Sequence, residues 1–516
     1  MNLNASRPQF VSRATIAAVC FLLYLLTGCG GSSSSVPKPP IPPTPPPPCS
    51  SCPDAIALEN KNPGTKDWGL ANPASNHEIE GFAGATSVNR GGQINFFINT
   101  SSPSYTIEIF RLGWYGGAGA RQMTVATTLS GQAQPPATVS TDTFLLECPW
   151  KLSYTLTVPG DSSVSNLWIS GVYLARITAS DTGKGAYIPF VVRDDSGKAE
   201  MILNVAAATY QAYNNWGGKS LYGYNSTGGV RALKVSFDRP YQDLGGAGIL
   251  MQYEYGAIEF LEKNGYNVTY ATDIDLHEGK LQFKNHKAFI VMGHDEYWTR
   301  AMRDNVTTAR DADVSLAFFT GNTMVWQARL ESSTTDSAAD RVLVEYRSPS
   351  LDPYDVAADP TKWPYVTTEW RDAPINDPEE SLLGEMFSNV VTPNVADYVV
   401  KDGSSWVFAG TGLTTGSPIP QVVGREIDHS FGVVAIPGLE ILASGDIETY
   451  DGKPDHADMT IYQAASGAYV FNAGSLMWPW TLDSYAFWGS HADYKSALAQ
   501  QITANVLQKF GVSPHH

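Results

Sequence analysis

Basic residues and cysteines are both scarce in this chain. Its 516 residues carry 34 Lys and Arg against 51 Asp and Glu, a formal net charge of −17. Without clustered cations it offers no surface for a nucleic-acid backbone. No apolar run reaches the ~20 residues that a membrane-spanning helix needs. Several catalytic signatures are also missing: a Gly-x-Ser-x-Gly elbow, a phosphate-binding P-loop, a His-Glu-x-x-His zinc helix, and a glycine fingerprint for dinucleotides after a strand. The only late cysteine of the five is Cys148, inside a β-rich stretch. A hydrolase of this sequence would therefore use water as its nucleophile, with a metal ion as the simplest activator.

What is present begins with an export pattern. Arg7 and Arg13 precede the apolar run from Ile16 to Leu26, which is the length of a signal-peptide core. Leu26-Thr27-Gly28-Cys29 resembles the lipobox of bacterial lipoproteins. That resemblance implies cleavage before Cys29 and a lipid on its thiol, anchoring an exported chain in the cell envelope. Gly30 after the cysteine resembles lipoproteins sent on to the outer membrane. Residues 1–28 are thus expected to be the signal and 29–53 a spacer. Its serine run (32–35) and prolines up to Pro48 favour an extended, semi-rigid chain. Cys49 and Cys52 have the gap of a redox or zinc pair, but no second pair completes a zinc site. In an exported protein structural disulfides are expected, with Cys49 or Cys52 bonded to Cys148 among the pairings.

The remainder reads as two bodies. From 54 to 195, short β-rich runs at 93–99, 105–111, 152–158 and 187–192 are separated by Gly, Asn, Ser and Pro. They predict an antiparallel β-sandwich with no catalytic cluster of its own, a support or recognition module. From 196 to 516 strands alternate with helices. Strands are predicted at 201–205, 268–271, 288–292, 314–319, 439–443 and 468–471. Helices are predicted over Gly248–Asn264 with Gly265 as stop, from an N-cap at Thr299, and over Asp493–Phe510. The expected class is multidomain, a β-sandwich followed by a mainly parallel α/β domain. The 13 Trp and 25 Tyr must find partners in cores or a cleft.

Parallel sheets place functional groups beyond their strand C-termini. After 288–292 comes Gly293-His294-Asp295-Glu296-Tyr297-Trp298-Thr299. In extended backbone His294 and Glu296 share a face, and an imidazole beside a carboxylate suits metal binding or acid–base work. The same two residues would equally serve to cap the next helix. After 314–319, Asn322 is placed to hydrogen-bond a carbonyl or oxyanion. The stretch Thr209 to Tyr222, rich in Gly, amides and aromatics, reads as a binding loop or as an aromatic cluster at a domain junction.

Several of these segments, in order, resemble the large (beta) subunit of N,N-dimethylformamidase: Tyr210-Gln-Ala-Tyr-Asn-Asn-Trp-Gly-Gly-Lys-Ser-Leu-Tyr222, Phe237-Asp-Arg-Pro-Tyr241, Glu254-Tyr255 with Phe260-Leu-Glu262, Thr272-Asp-Ile-Asp-Leu276 and Gly293 to Thr299. The resemblance runs from about Ala199 to the C-terminus. Ile109-Phe-Arg-Leu-Gly-Trp-Tyr-Gly-Gly117 resembles the β module that accompanies it in related exported proteins. The resemblance implies hydrolysis of a small formamide and a single iron held by two tyrosines and one glutamate. Carried over, the glutamate is Glu296, the first tyrosine Tyr213 and the second Tyr255, with Tyr253 and Tyr222 as competitors. His294 becomes an acid–base or supporting group, and Asn322 a substrate-orienting amide. The characterised enzyme type is cytoplasmic and has a small subunit. No small subunit is evident here, and a homo-oligomer is left open. Two other readings stand beside it: a non-catalytic envelope lipoprotein that binds a glycan or peptide through the same cleft, and a hydrolase that uses the acidic cleft without iron.

Overall fold

Alternation of apolar and polar residues shapes the first half of the fold. In the strand Gln93–Thr100, Ile94, Phe96 and Ile98 are buried while Gln93 and Asn95 are exposed, the two-residue period of a strand with one face inward. The computed structural model describes residues 55–515 apart from 161–166, 356–358 and 484–493. These belong to a unit running from Pro45 to His516. The expected signal peptide, Cys29, the spacer, Cys49 and Cys52 lie outside the described residues. Among the described residues strands hold 33% and helices 22%, so packing between sheets carries the architecture.

Gln93–Thr100 pairs antiparallel with Ile79–Ala83 and with Tyr154–Thr157. A second sheet centres on Ser104–Leu112, Gly171–Ala179 and Gly185–Arg193, also antiparallel. Ile94, Phe96 and Ile98 from the first sheet share one core with Ile107, Ile177 and Phe190 from the second. Cys148 is buried among Phe82, Trp150 and Trp216 and forms no disulfide within the described residues, and burial pushes its pKa well above the ordinary thiol value.

A nine-stranded sheet dominates the rest. Val268–Thr272, Met201–Val205, Ala288–Val291, Ser315–Phe318 and Tyr469–Asn472 lie side by side and parallel. Ala288–Val291 and Ser315–Phe318 are buried throughout, as strands covered on both faces must be. Pro454–Gln463, Glu440–Glu448, Met386–Val400 and Pro418–His429 then continue the sheet antiparallel. The expected mainly parallel sheet is therefore half antiparallel, with four junctions of each kind. The cause is local. Tight connections at 449–453 and 464–468 allow hairpin pairing, whereas a parallel pair needs a crossover of a dozen or more residues.

Helices supply the crossovers among the parallel strands from Met201 to Phe318. Thr299 caps Arg300–Asp311, its side chain accepting from Met302 N–H at 3.2 Å. The helix expected over Gly248–Asn264 is interrupted at Glu254, giving Leu250–Tyr253 and Tyr255–Lys263. The last helix, Ala497–Lys509, is capped by Ser496.

Two tertiary connections tie distant segments together. The end of Pro418–His429 folds back past the parallel strands: Ile427 bridges Ser475, Leu476 N–H donates to Glu426 O at 2.9 Å, and Asp428 N–H to Gly474 O at 3.0 Å. Glu426 and Asp428 thereby reach the loops at the parallel strand ends. Separately, Arg111 from the N-terminal sheets inserts beside Glu262 of helix Tyr255–Lys263, at 2.7 Å with both side chains 0% exposed.

Candidate active site at the strand ends

Three segments leaving the parallel strands converge. Helix Ala207–Tyr213 follows the strand at 201–205, and Tyr213 is its last residue. Residues 293–296 follow the strand at 288–291. Thr209 Oγ1 accepts the backbone N–H groups of Glu296 at 2.9 Å and Tyr297 at 3.3 Å, tying the second segment to the first. Gly293 makes the approach possible: a Cβ there would stand 2.4 Å from Glu254 Oε1 and 2.8 Å from the Tyr210 hydroxyl. Tyr297–Thr299 pairs parallel with Trp326–Glu331, with Tyr297 opposite Trp326.

Glu296 is the hub. Its carboxylate accepts from the Tyr213 hydroxyl at 2.8 Å, the Tyr222 hydroxyl at 2.7 and 2.8 Å, and Trp326 Nε1 at 2.8 Å. The Tyr213 and Tyr222 rings stack at 4.3 Å. Tyr297 donates to the Tyr222 oxygen at 2.8 Å and accepts from Arg347, whose guanidinium lies 4.1 Å over the Tyr222 ring. A cation thus ends a chain of hydroxyls leading to Glu296. Burial, then the nearby Glu296, hold both phenols well above their ordinary pKa. Burial also raises Glu296, an effect opposed by His294.

His294 and Asn322 form the other wall. His294 Nε2 is 3.0 Å from Glu426 Oε2 and 3.5 Å from Glu296 Oε2. Asn322 Nδ2 donates to Glu426 Oε2 at 2.6 Å, and its buried Oδ1 has no hydrogen-bond partner among the described residues. Asn322 adopts φ +57°, a conformation that asparagine tolerates better than most residues, and Asp428 Oδ1 holds its N–H at 2.7 Å. Burial alone would lower the His294 pKa, but Glu426 and Glu296 carry it above the ordinary value. Burial alone would raise Glu426, yet His294 and Asn322 hold it below. Both shifts favour an imidazolium against a carboxylate.

Tyr213, Glu296, His294 and Asn322 therefore meet. Tyr255 does not join them. Its hydroxyl donates to Gly119 O at 3.0 Å and Glu259 Oε1 at 3.1 Å, and its ring lies 5.7 Å from Trp68. The second phenol on Glu296 is Tyr222. Tyr253 comes nearer than Tyr255, with its ring 5.5 Å from His294 and its hydroxyl accepting from Arg425 at 3.3 Å. Tyr253 ends one helix and Tyr255 begins the next, and their contacts point to different places, Tyr253 to His294 and Tyr255 to Trp68. Glu426, Trp326, Tyr297 and Arg347 were not singled out in the sequence. The only hint for Trp326 and Arg347 is aromatic and cationic character near Asn322, and Glu426 follows no motif.

Beneath the site lies a layer of buried acids. Asn204 Nδ2 donates to Asp273 at 2.7 Å and to Asp295 at 2.8 Å, and burial pushes Asp295 up to about 7. Glu254 accepts from Ala206 N–H at 2.9 Å and is pushed up by burial to about 8. A carboxyl raised in this way holds its proton when folded and loses it when unfolded, so stability falls as pH rises from the unfolded value toward about 8. Between about pH 6 and about pH 8 the fall due to Glu254 should be on the order of 2 kcal/mol, and Glu254→Gln should flatten it. Denaturant midpoints at the two pH values check this, and equal slopes for parent and variant would refute it.

With this geometry in place, the match to known proteins is specific. Residues 106–495, more than half of the chain, match the family described as N,N-dimethylformamidase beta subunit-like, C-terminal. The chain belongs to that family. The matched region begins in the N-terminal sheets, so the dimethylformamidase-like region takes in the strand that carries Arg111 as well as the nine-stranded sheet. No curated protein matches the chain. Among solved structures, a family 123 glycoside hydrolase from Clostridium perfringens, described in a study of glycolipid glycan hydrolysis, overlaps 52% of this chain and 52% of its own. The chain thus spans about half the length of that protein. At 8% identity and a TM-score of 0.11, the overlap carries no argument about fold or function.

Proposed function

We propose that this dimethylformamidase-like chain hydrolyses the C–N bond of a small, formamide-like amide, with one iron ion held by Tyr213, Tyr222 and Glu296. The observation that carries the proposal is the convergence of two buried phenols on one buried carboxylate, at 2.7–2.8 Å, in a member of this family. Three hard oxygen donors suit a ferric ion, and Asn322 Oδ1 is a buried acceptor without a partner among the described residues. Such an ion would supply Lewis-acid polarisation of a carbonyl or of water.

The chain's own groups divide the remaining work. The buried Asn322 oxygen orients an amide N–H. His294, charged against Glu426, is placed to give a proton to a departing amine and recover it from water. Arg347, through Tyr297, holds the Tyr222 hydroxyl on Glu296. Binding an ion requires both phenols to surrender the protons they now donate, so uptake should release protons. We read the two N-terminal sheets as a sandwich-like support module beside a second, α/β domain.

Iron content and turnover of a panel of linear amides test the assignment. Tyr213→Phe and Tyr222→Phe should each lose most of their iron, whereas Tyr255→Phe should keep it. Unchanged iron in both of the first two variants would refute the ligand set. An iron-free parent with no turnover would favour the binding-protein reading instead. Export and lipid anchoring through Cys29 belong to the same proposal, with the site working in the cell envelope. Among the described residues no helix is long and apolar enough to cross a membrane, and Cys29→Ser should move the protein from the membrane to the soluble fraction. Retention of the variant on the membrane would remove the anchor from the proposal.

A further inference from the structure

A second group of metal-ligating side chains gathers where the end of strand Pro418–His429 meets strand Pro454–Gln463. One ligand atom from each of His429, Asp455 and His456 lies within 4.8 Å of the others. His429 Nε2 is 3.6 Å from Asp455 Oδ1, and His456 Nδ1 is 3.9 Å from the same oxygen. The imidazoles stack with centroids 4.3 Å apart and planes 19° from parallel, so both rings flank one carboxylate.

Each of the three has outer contacts that leave one lone pair for an ion. His429 Nδ1 lies 3.2 Å from Ser430 O; the tautomer that donates there keeps the Nε2 lone pair toward Asp455. His456 Nε2 is 3.7 Å from Oδ2 of the buried Asp458, which leaves Nδ1 for the Asp455 side. Asp455 Oδ2 accepts from the Ser388 hydroxyl and the Asn389 amide, while Oδ1 accepts the His456 backbone N–H at 2.8 Å and keeps its second lone pair for an ion beside the imidazoles. The His429 contact is the kind of outer hydrogen bond, from imidazole to carbonyl, by which metal sites fix tautomer and ring direction; the His456–Asp458 approach is an ion-pair contact beyond hydrogen-bond reach. Around a tetrahedral ion with bonds of ~2.0–2.1 Å, neighbouring ligand atoms stand about 3.4 Å apart. The spacings of 3.6 and 3.9 Å need only a small contraction.

We infer that His429, Asp455 and His456 form a second metal site, separate from Glu296, for a late first-row divalent ion of the zinc class. Two imidazoles and one carboxylate select such an ion over magnesium or calcium. The His456 side chain is 40% exposed, so the site opens to solvent and water completes the coordination. The ion acts as a clasp. It fastens the folded-back end of Pro418–His429, the stretch that also carries Glu426 and Asp428, to the neighbouring strand.

The test uses the full chain stripped of metal and titrated with Zn2+ alone, followed by calorimetry and by Tm. It is run in the parent and in a Glu296→Gln background, so that uptake at the other site is counted separately. In both backgrounds His456→Gln should lose one equivalent of Zn2+, or bind it at least about tenfold more weakly, and lose the Zn2+-dependent rise in Tm. The metal-free Tm should not move, because His456 is half exposed. Should His429→Asn fail to fold, His456→Gln alone decides. Equal Zn2+ uptake with and without His456 would overturn the site and leave the imidazoles as an aromatic stack with Phe431. No uptake in the Glu296→Gln background would overturn it too.

Discussion

Glu296→Gln is expected to abolish the site while sparing the fold. The side chain keeps its volume but exchanges a carboxylate for an amide, and three of its contacts come from donors: Tyr213, Tyr222 and Trp326. An amide nitrogen cannot accept from them, and a neutral amide is a poor ligand for a ferric ion. Iron should fall below about a tenth of the parental content. Amide hydrolysis should fall about 10^3-fold or more, since Lewis-acid activation is worth several kcal/mol of barrier. Elemental analysis and turnover on the same preparation, with circular dichroism as a check on folding, give the result. Parental iron and turnover in Glu296→Gln would end the proposal.

The second large effect is one of stability. Glu262→Ala should cost about 3–5 kcal/mol, the range for breaking a buried ion pair by removing one partner. Arg111 donates to Glu262 at 2.9 and 2.7 Å, Tyr270 donates at 2.9 Å, and Asn60 at 3.0 Å. Truncation leaves the Tyr270 hydroxyl without this acceptor and leaves the guanidinium, still bonded to Leu112 O and Ser170 O, charged in a place that water does not reach. The contact also joins the N-terminal sheets to helix Tyr255–Lys263, so its loss should loosen the junction between them. Denaturant unfolding measures the cost. A change under about 1 kcal/mol would show that the pair contributes little. Replacing Arg111 and Glu262 together by apolar residues of similar volume should cost much less than Glu262→Ala, because the penalty lies in the orphaned charge.

The local features proved the most legible in the sequence. Thr299 caps the helix that its position announced. The strands at 93–100, 201–205, 288–291 and 315–318 follow from apolar runs of the right length. His294 and Glu296 share a cleft because extended backbone places alternate residues on one face. The antiparallel half of the large sheet was less visible: its strands carry mixed burial, as in Met386–Val400, and periodicity does not say which neighbour a strand chooses.

The ordered motifs from Tyr210 to Thr299 by themselves determined the family, and with it the pairing of a tyrosine and a glutamate at the site. Local rules sufficed for this, because capping, alternation and motif spacing act over a few residues. Only the tertiary structure decided that Tyr222, and not Tyr255, lies on Glu296. A helix turns each residue by about 100°, and packing against Trp68 chose the direction of Tyr255. Only the tertiary structure, too, brought Glu426 to His294 and His429 to Asp455. Both depend on the bridge from Ile427 to Ser475, a closure between distant segments whose register is set by the cores on either side of the sheet.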